Sequence, residues 1–129
     1  MSAERVWRPE LANKPVVVAG SGDGCVIARS DEAKALGIKM GEAVHLVRQQ
    51  HWRSGLIICS ANFPLYGDAS SRLMRSVATV APKITPYSID ECFIHAHGMS
   101  DHQLHQLAIQ ARERVLAWTG LGTGAGIGP

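Results

Sequence analysis

Ile84-Thr85-Pro86-Tyr87-Ser88-Ile89-Asp90-Glu91-Cys92-Phe93-Ile94-His95-Ala96 is the stretch on which the fold turns. Two apolar runs, residues 84–87 and 92–96, flank a polar bend with two adjacent acids, the pattern of a short hairpin. Neighbouring side chains on a regular strand point to opposite faces, so Asp90 and Glu91 converge only if the backbone turns between the runs. Carboxylates between apolar runs are expected to be desolvated unless each has a partner. If they converge, they offer hard oxygen ligands for Mg²⁺. On composition alone, a hydrophilic turn is the simpler reading.

Working outward, Pro64 marks the first turn of a helix that closes before Pro82. Tyr66, Ala69, Leu73, Val77 and Val80 recur on it at steps of three and four. Beyond the hairpin, Ser100 and Gln103 form a capping box for a last helix. Leu104, Leu107, Ala108, Ala111, Val115 and Trp118 fall on one face of that helix, and Gly120 ends it. Residues 122–128 read as a thin final strand. The order helix, strand, strand, helix, strand describes an α+β sandwich missing one strand at its front.

In the first half, residues 14–19 and 25–28 are short apolar runs joined by Gly20-Ser21-Gly22-Asp23-Gly24, an antiparallel hairpin with a long connection. A dinucleotide-binding G-x-G-x-x-G would need glycine where Cys25 stands, and no P-loop lysine follows. Ser30 is an N-cap, with Asp31 and Glu32 in the favourable first turn. That helix covers residues 31–36 and stops at Gly37. Residues 44–47 read as extended and 56–59 as a buried strand. Arg48-Gln49-Gln50-His51-Trp52-Arg53 between them reads as a solvated loop or helical turn.

Composition bounds the rest. The chain has 129 residues, 46% apolar and 19% charged, enough for one core and against disorder. A net charge of +2 does not by itself announce nucleic acid. No apolar run approaches membrane-spanning length and no signal peptide opens the chain. The three cysteines, Cys25, Cys59 and Cys92, are an odd, scattered set that suits a reducing compartment, so a cytoplasmic location is expected. His95, His97, His102 and His105 with Cys92 present zinc-type donors, but their spacing matches no paired signature. No cysteine has an activating context. Met74 and Trp118 lie on or beside helix stripes and are expected in the core.

Several segments resemble the UmuC-like Y-family DNA polymerases. Residues 23–30 (Asp-Gly-Cys-Val-Ile-Ala-Arg-Ser) and 32–41 (Glu-Ala-Lys-Ala-Leu-Gly-Ile-Lys-Met-Gly) are similar to the family's fingers segment. The likeness runs on through residues 60–66, 87–93 (Tyr-Ser-Ile-Asp-Glu-Cys-Phe), 118–121 and 126–129, and Ser2-Ala3-Glu4-Arg5-Val6-Trp7-Arg8-Pro9-Glu10-Leu11 fits as well. The implied fold is a partial polymerase palm, a ferredoxin-like βαββαβ unit lacking its first strand, at residues 1–8 and 63–129. A small fingers subdomain is inserted at residues 9–62, and thumb and little finger are absent.

The implied activity is translesion DNA synthesis in DNA repair and the SOS response by a two-metal mechanism. Asp90 and Glu91 match the family's second acidic motif and would be catalytic and Mg²⁺-binding. Ile27 and Ala28 match positions that roof the nascent base pair, and Lys34 falls where a basic residue meets the incoming triphosphate. Relatives in other branches carry a phosphate-contacting tyrosine where Asp31 stands, which leaves Arg29 and Ser30 as substitute nucleotide contacts. The implied partners are primer-template DNA, a deoxynucleoside triphosphate, a recombinase filament and an accessory processed subunit. The family's first metal-binding aspartate and its ribonucleotide-excluding aromatic are not among these residues. The 129 residues are therefore expected to be a cut through a larger enzyme with negligible turnover, and an unpaired palm strand is expected to favour a homodimer. The alternative is a non-catalytic nucleotide- or protein-binding module that retains the fold.

Overall fold

The computed structural model describes residues 1–129, which form two compact units, Met1–Asn62 and Phe63–Pro129. The first opens with helix α1 (Ser2–Trp7) and a single 3₁₀ turn at Pro9–Leu11. Strand β1 (Val16–Ala19) follows and is buried along its whole length. It pairs antiparallel with β2 (Val26–Arg29) on one side and parallel with β3 (Ile57–Ser60) on the other, giving the order β2-β1-β3. A strand paired on both sides with helices around it reads as a continuous apolar run, as Val16-Val17-Val18-Ala19 does. The hairpin read from residues 14–28 is present, and a shift in register between Val18 and Ala19 accommodates its long connection. Gly22 sits at φ +73° within that connection, a conformation that favours glycine.

Helix α2 (Asp31–Ala35) begins as expected: Ser30 Oγ accepts from the Ala33 backbone N–H at 3.2 Å. Gly37, at φ +84°, turns the chain away from it. Residues 44–47, read as extended, instead begin helix α3 (Val44–His51). The β-branched valines misled, because Val44 and Val47 are three residues apart and both are buried against the sheet. Burial of that face outweighs the weak strand preference.

The second unit is simpler. Helix α4 (Phe63–Ala78) and helix α5 (Asp101–Thr119) pack on each other, and α4 also meets the hairpin β4 (Ile84–Pro86) and β5 (Cys92–Ile94). The hairpin register is Ile84 opposite Ile94, Thr85 opposite Phe93 and Pro86 opposite Cys92. Both the α4 stripe at Ala69, Leu73 and Val77 and the α5 stripe at Leu107, Ala111 and Val115 are buried. The capping box between Ser100 and Gln103 forms, and Gly120 closes α5 at φ +73°. Trp118 departs from its expected core place: it is exposed beneath the Arg114 guanidinium, 4.8 Å from the ring centroid.

The final strand expected over residues 122–128 is not formed. Glycine occupies every second position from 120 to 128, so one face of any strand there would carry no side chains. β4 and β5 pair only with each other. The fold is nevertheless α+β, with sheets flanked by helices in each unit. No helix is long and apolar enough to cross a membrane.

Candidate functional site

At the tip of the second unit's hairpin the backbone does turn. The amides of Tyr87 and Ser88 both donate to the Glu91 carbonyl, at 2.9 and 3.1 Å, closing a tight loop over residues 87–91. Inside it the Ser88 hydroxyl lies 2.8 Å from Asp90 Oδ1 and 3.2 Å from Glu91 Oε2. The Asp90 amide in turn points at Ser88 Oγ, at 3.4 Å. One hydroxyl carries one proton, so it serves both carboxylates only if they approach from the same side. Adjacent residues that a strand would splay apart are thereby brought together. The desolvation expected for them does not occur: Asp90 and Glu91 are both exposed. Tyr87 and Phe93 flank the loop and meet edge to face with ring centroids 5.4 Å apart.

Two hard oxygen donors beside one hydroxyl suit a cation such as Mg²⁺, which takes few protein ligands and keeps water or phosphate for the rest. Like charges held this close repel, and a divalent cation between them removes that cost. No third His, Cys, Asp or Glu converges with them to complete a group of three. The same holds for the zinc-type set. His95 Nε2 is 2.8 Å from Thr85 Oγ1, and the rings of His95 and His97 stand 6.2 Å apart without a convergent third donor.

The other expected site residues lie in the first unit. Ile27 and Ala28 occupy the middle of β2, Ile27 exposed and Ala28 half-buried. Gly20 makes that surface possible, since a Cβ there would meet Ile27 Cγ2 at 3.0 Å. Arg29 donates through one terminal nitrogen to the Ile38 carbonyl, while its buried Nε has no hydrogen-bond partner. Ser30 is buried and its hydroxyl is fully engaged. It accepts from the amides of Val16 and Ala33 and donates to the Lys14 carbonyl at 3.1 Å. Lys34 is exposed on α2 and pairs with Asp31 at 3.1 Å, so the residue standing in place of a tyrosine is a partner for the expected triphosphate cation.

Sequence reasoning passed over two groups. Ser88, read only as part of the polar bend, organises the acidic turn, and a serine two residues before an acid is a turn signal in its own right. The second is Arg5, which donates to Glu32 at 2.6 Å and to the Lys14 carbonyl at 3.1 Å, tying α1 to the start of α2. This ion pair holds the Glu32 carboxyl below the usual carboxylate range. Partners 27 residues apart leave no local pattern.

Comparison with known proteins supplies the context for this geometry. The model of the impB/mucB/samB family matches residues 1–129. Protein ImpB of Salmonella typhimurium is 46% identical over 130 residues, covering 99% of this chain and 30% of that protein. Protein UmuC of Salmonella typhimurium strain LT2 is 42% identical over 127 residues, 98% of this chain and 30% of the relative. Among solved structures, DinB from Sulfolobus solfataricus superposes with a TM-score of 0.81 at 27% identity, covering 92% of this chain and 36% of that one. The chain thus spans about a third of the length of the proteins it matches. With the match running from the first residue to the last, the chain belongs to the impB/mucB/samB family, the UmuC-like group of the Y-family DNA polymerases.

Proposed function

We propose that these residues are the partial palm and the fingers of a UmuC-like polymerase that copies damaged DNA templates. Residues 9–62 are the fingers, and residues 1–8 and 63–129 the palm. The observation that carries this reading is the pair of carboxylates gathered on the Ser88 hydroxyl, in a chain whose relatives include proteins named UmuC and DNA polymerase IV. Asp90 and Glu91 would hold Mg²⁺. When bound, divalent cations in such a site lower the pKa of a primer hydroxyl and neutralise the triphosphate.

Each residue of the chain then has a defined task. Asp90 and Glu91 supply negative charge at an exposed turn, while Ser88 fixes the direction both carboxylates face. Lys34 offers its ammonium to a phosphate once it leaves Asp31, an exchange of one surface pair for another. Ile27 and Ala28 present a small apolar surface suited to the face of a base pair. Ser30 acts by holding the β2–α2 junction rather than by touching nucleotide, and Arg29 keeps donor capacity beside it.

Primer-template DNA and deoxynucleoside triphosphate are the proposed partners, with a recombinase filament and an accessory processed subunit carried over from the family. A second copy pairing along the open hairpin edge is a further partner. The rival reading, a non-catalytic binding module, draws on one observation, that only two carboxylates converge. Purified chain with Mg²⁺, primer-template and deoxynucleotides is expected to give no extension, whereas extension abolished by Asp90→Ala would overturn that incompleteness. Titration with a deoxynucleoside triphosphate is expected to weaken about tenfold in Lys34→Glu, and unchanged binding would remove Lys34 from the site.

A further inference from the structure

The stretch from Ala43 to Gly67 contains no acidic residue, but carries Arg48 and Arg53. α3 explains how that charge is displayed. Val44 and Val47 face the core, while His45, Arg48, Gln49 and Trp52 follow at steps of three, four and seven, the spacing of a single helix face. Trp52 extends the spiral beyond Gln49 because it caps the helix with α-helical backbone angles, φ −59° and ψ −25°. All four of these residues are exposed, Trp52 at 68%. The Arg53 guanidinium lies 4.5 Å from the Trp52 ring centroid, which orders the indole and places a cation beside it. His45, Arg48 and Arg53 take part in none of the ion pairs of the molecule.

A large exposed aromatic held by an arginine, in an acid-free helical surface, has the two elements that bind an unpaired nucleic-acid strand: a ring for a base and cations for its phosphates. We propose that the Arg48–Trp52–Arg53 face of α3 binds single-stranded nucleic acid. A base stacks on the free face of Trp52, and Arg48 and Arg53 contact the flanking phosphates. Apolar surface with this charge does not suit another α3 face, since two basic helices repel. The inference is independent of the nucleotidyl-transfer reading, which rests on Asp90 and Glu91 in the other unit.

The test is titration of the 129-residue chain with the oligonucleotide dT12, followed by tryptophan fluorescence and by anisotropy of labelled dT12. Quenching is expected on binding, with affinity reduced about five- to a hundredfold in Trp52→Ala. Arg53→Gln and Arg48→Gln are each expected to lower the salt dependence by about 0.7 in log–log slope. Trp52→Phe, which keeps a stacking surface, is expected to restore most of the affinity. Binding of dT12 that survives Trp52→Ala within twofold, or equal affinity for a duplex of the same length or for a glutamate dodecapeptide, would overturn the proposal. Circular dichroism of each variant confirms that loss of binding is not loss of fold.

Discussion

In the unit Met1–Asn62, Val16, Val17, Val18 and Ala19 are fully buried, and Ile38, Val44 and Val47 close over the same sheet. In Phe63–Pro129, by contrast, the hairpin keeps Tyr87, Ile89 and Phe93 exposed, and its two strands have no third partner. A two-stranded ribbon is marginal by itself and depends on what packs against it. The first unit therefore carries its own stability. In the second, α4 packs on α5 and meets β4, and the aromatic pair of Tyr87 and Phe93 flanks the acidic turn.

The largest expected effect tests the closed half. Ile38→Ala, at a fully buried position, should cost about 2–5 kcal/mol in denaturant unfolding, and a cost below that would mean the core is looser than its burial implies. Next comes Ser30→Ala, which removes a helix cap and strands the buried Val16 amide, at about 1–3 kcal/mol. Phe93→Ala in the open half should cost only about 0.5–1.5 kcal/mol, the worth of its edge-to-face contact with Tyr87. If Phe93→Ala proved as damaging as Ile38→Ala, the contrast between the halves would fail.

A smaller effect concerns pH. The hydrogen bond from Arg5 is the chief cause, and a backbone amide the second, of the lowered Glu32 carboxyl. A group depressed in the folded state stabilises above its ordinary value and loses that stabilisation as pH falls through the folded one. Glu32→Gln should therefore flatten the acid limb of the stability profile and leave the alkaline limb unchanged. The smallest perturbation is thiol labelling. Burial pushes the Cys59 thiol up, so thiolate is scarce there, while Cys25 is exposed. Alkylation should reach Cys25 first and Cys59 last, with mass spectrometry giving the order.

Much of this architecture was legible because its signals are local. Ser30, Ser100 with Gln103, Gly37 and Gly120 mark helix ends by chemistry that acts within a few residues, and each does so here. The acidic hairpin was legible for the same reason. What escaped was set at a distance. The parallel pairing of β1 with β3 joins segments about forty residues apart, and nothing in Val16-Val17-Val18-Ala19 says which strand lies beside it. α3 was misread because valine's strand preference is a matter of tenths, while burying Val44 and Val47 on one face is worth far more. At the site, the acids were visible but their exposure was not, since apolar neighbours in sequence do not have to cover them in space. The saturation of Ser30 was equally hidden, because its partners Lys14 and Val16 lie fourteen to sixteen residues away, at the entry to β1.

Asp90 and Glu91 are proposed to act together as one cation-binding turn organised by Ser88. Titration of the chain with Mn²⁺, read by electron paramagnetic resonance, tests it most directly. One site per chain is expected, competed by Mg²⁺ and weakened by about tenfold or more in Asp90→Asn or Glu91→Gln. Ser88→Ala should weaken it by a smaller factor. Mn²⁺ binding indifferent to both carboxylate substitutions would contradict the claim.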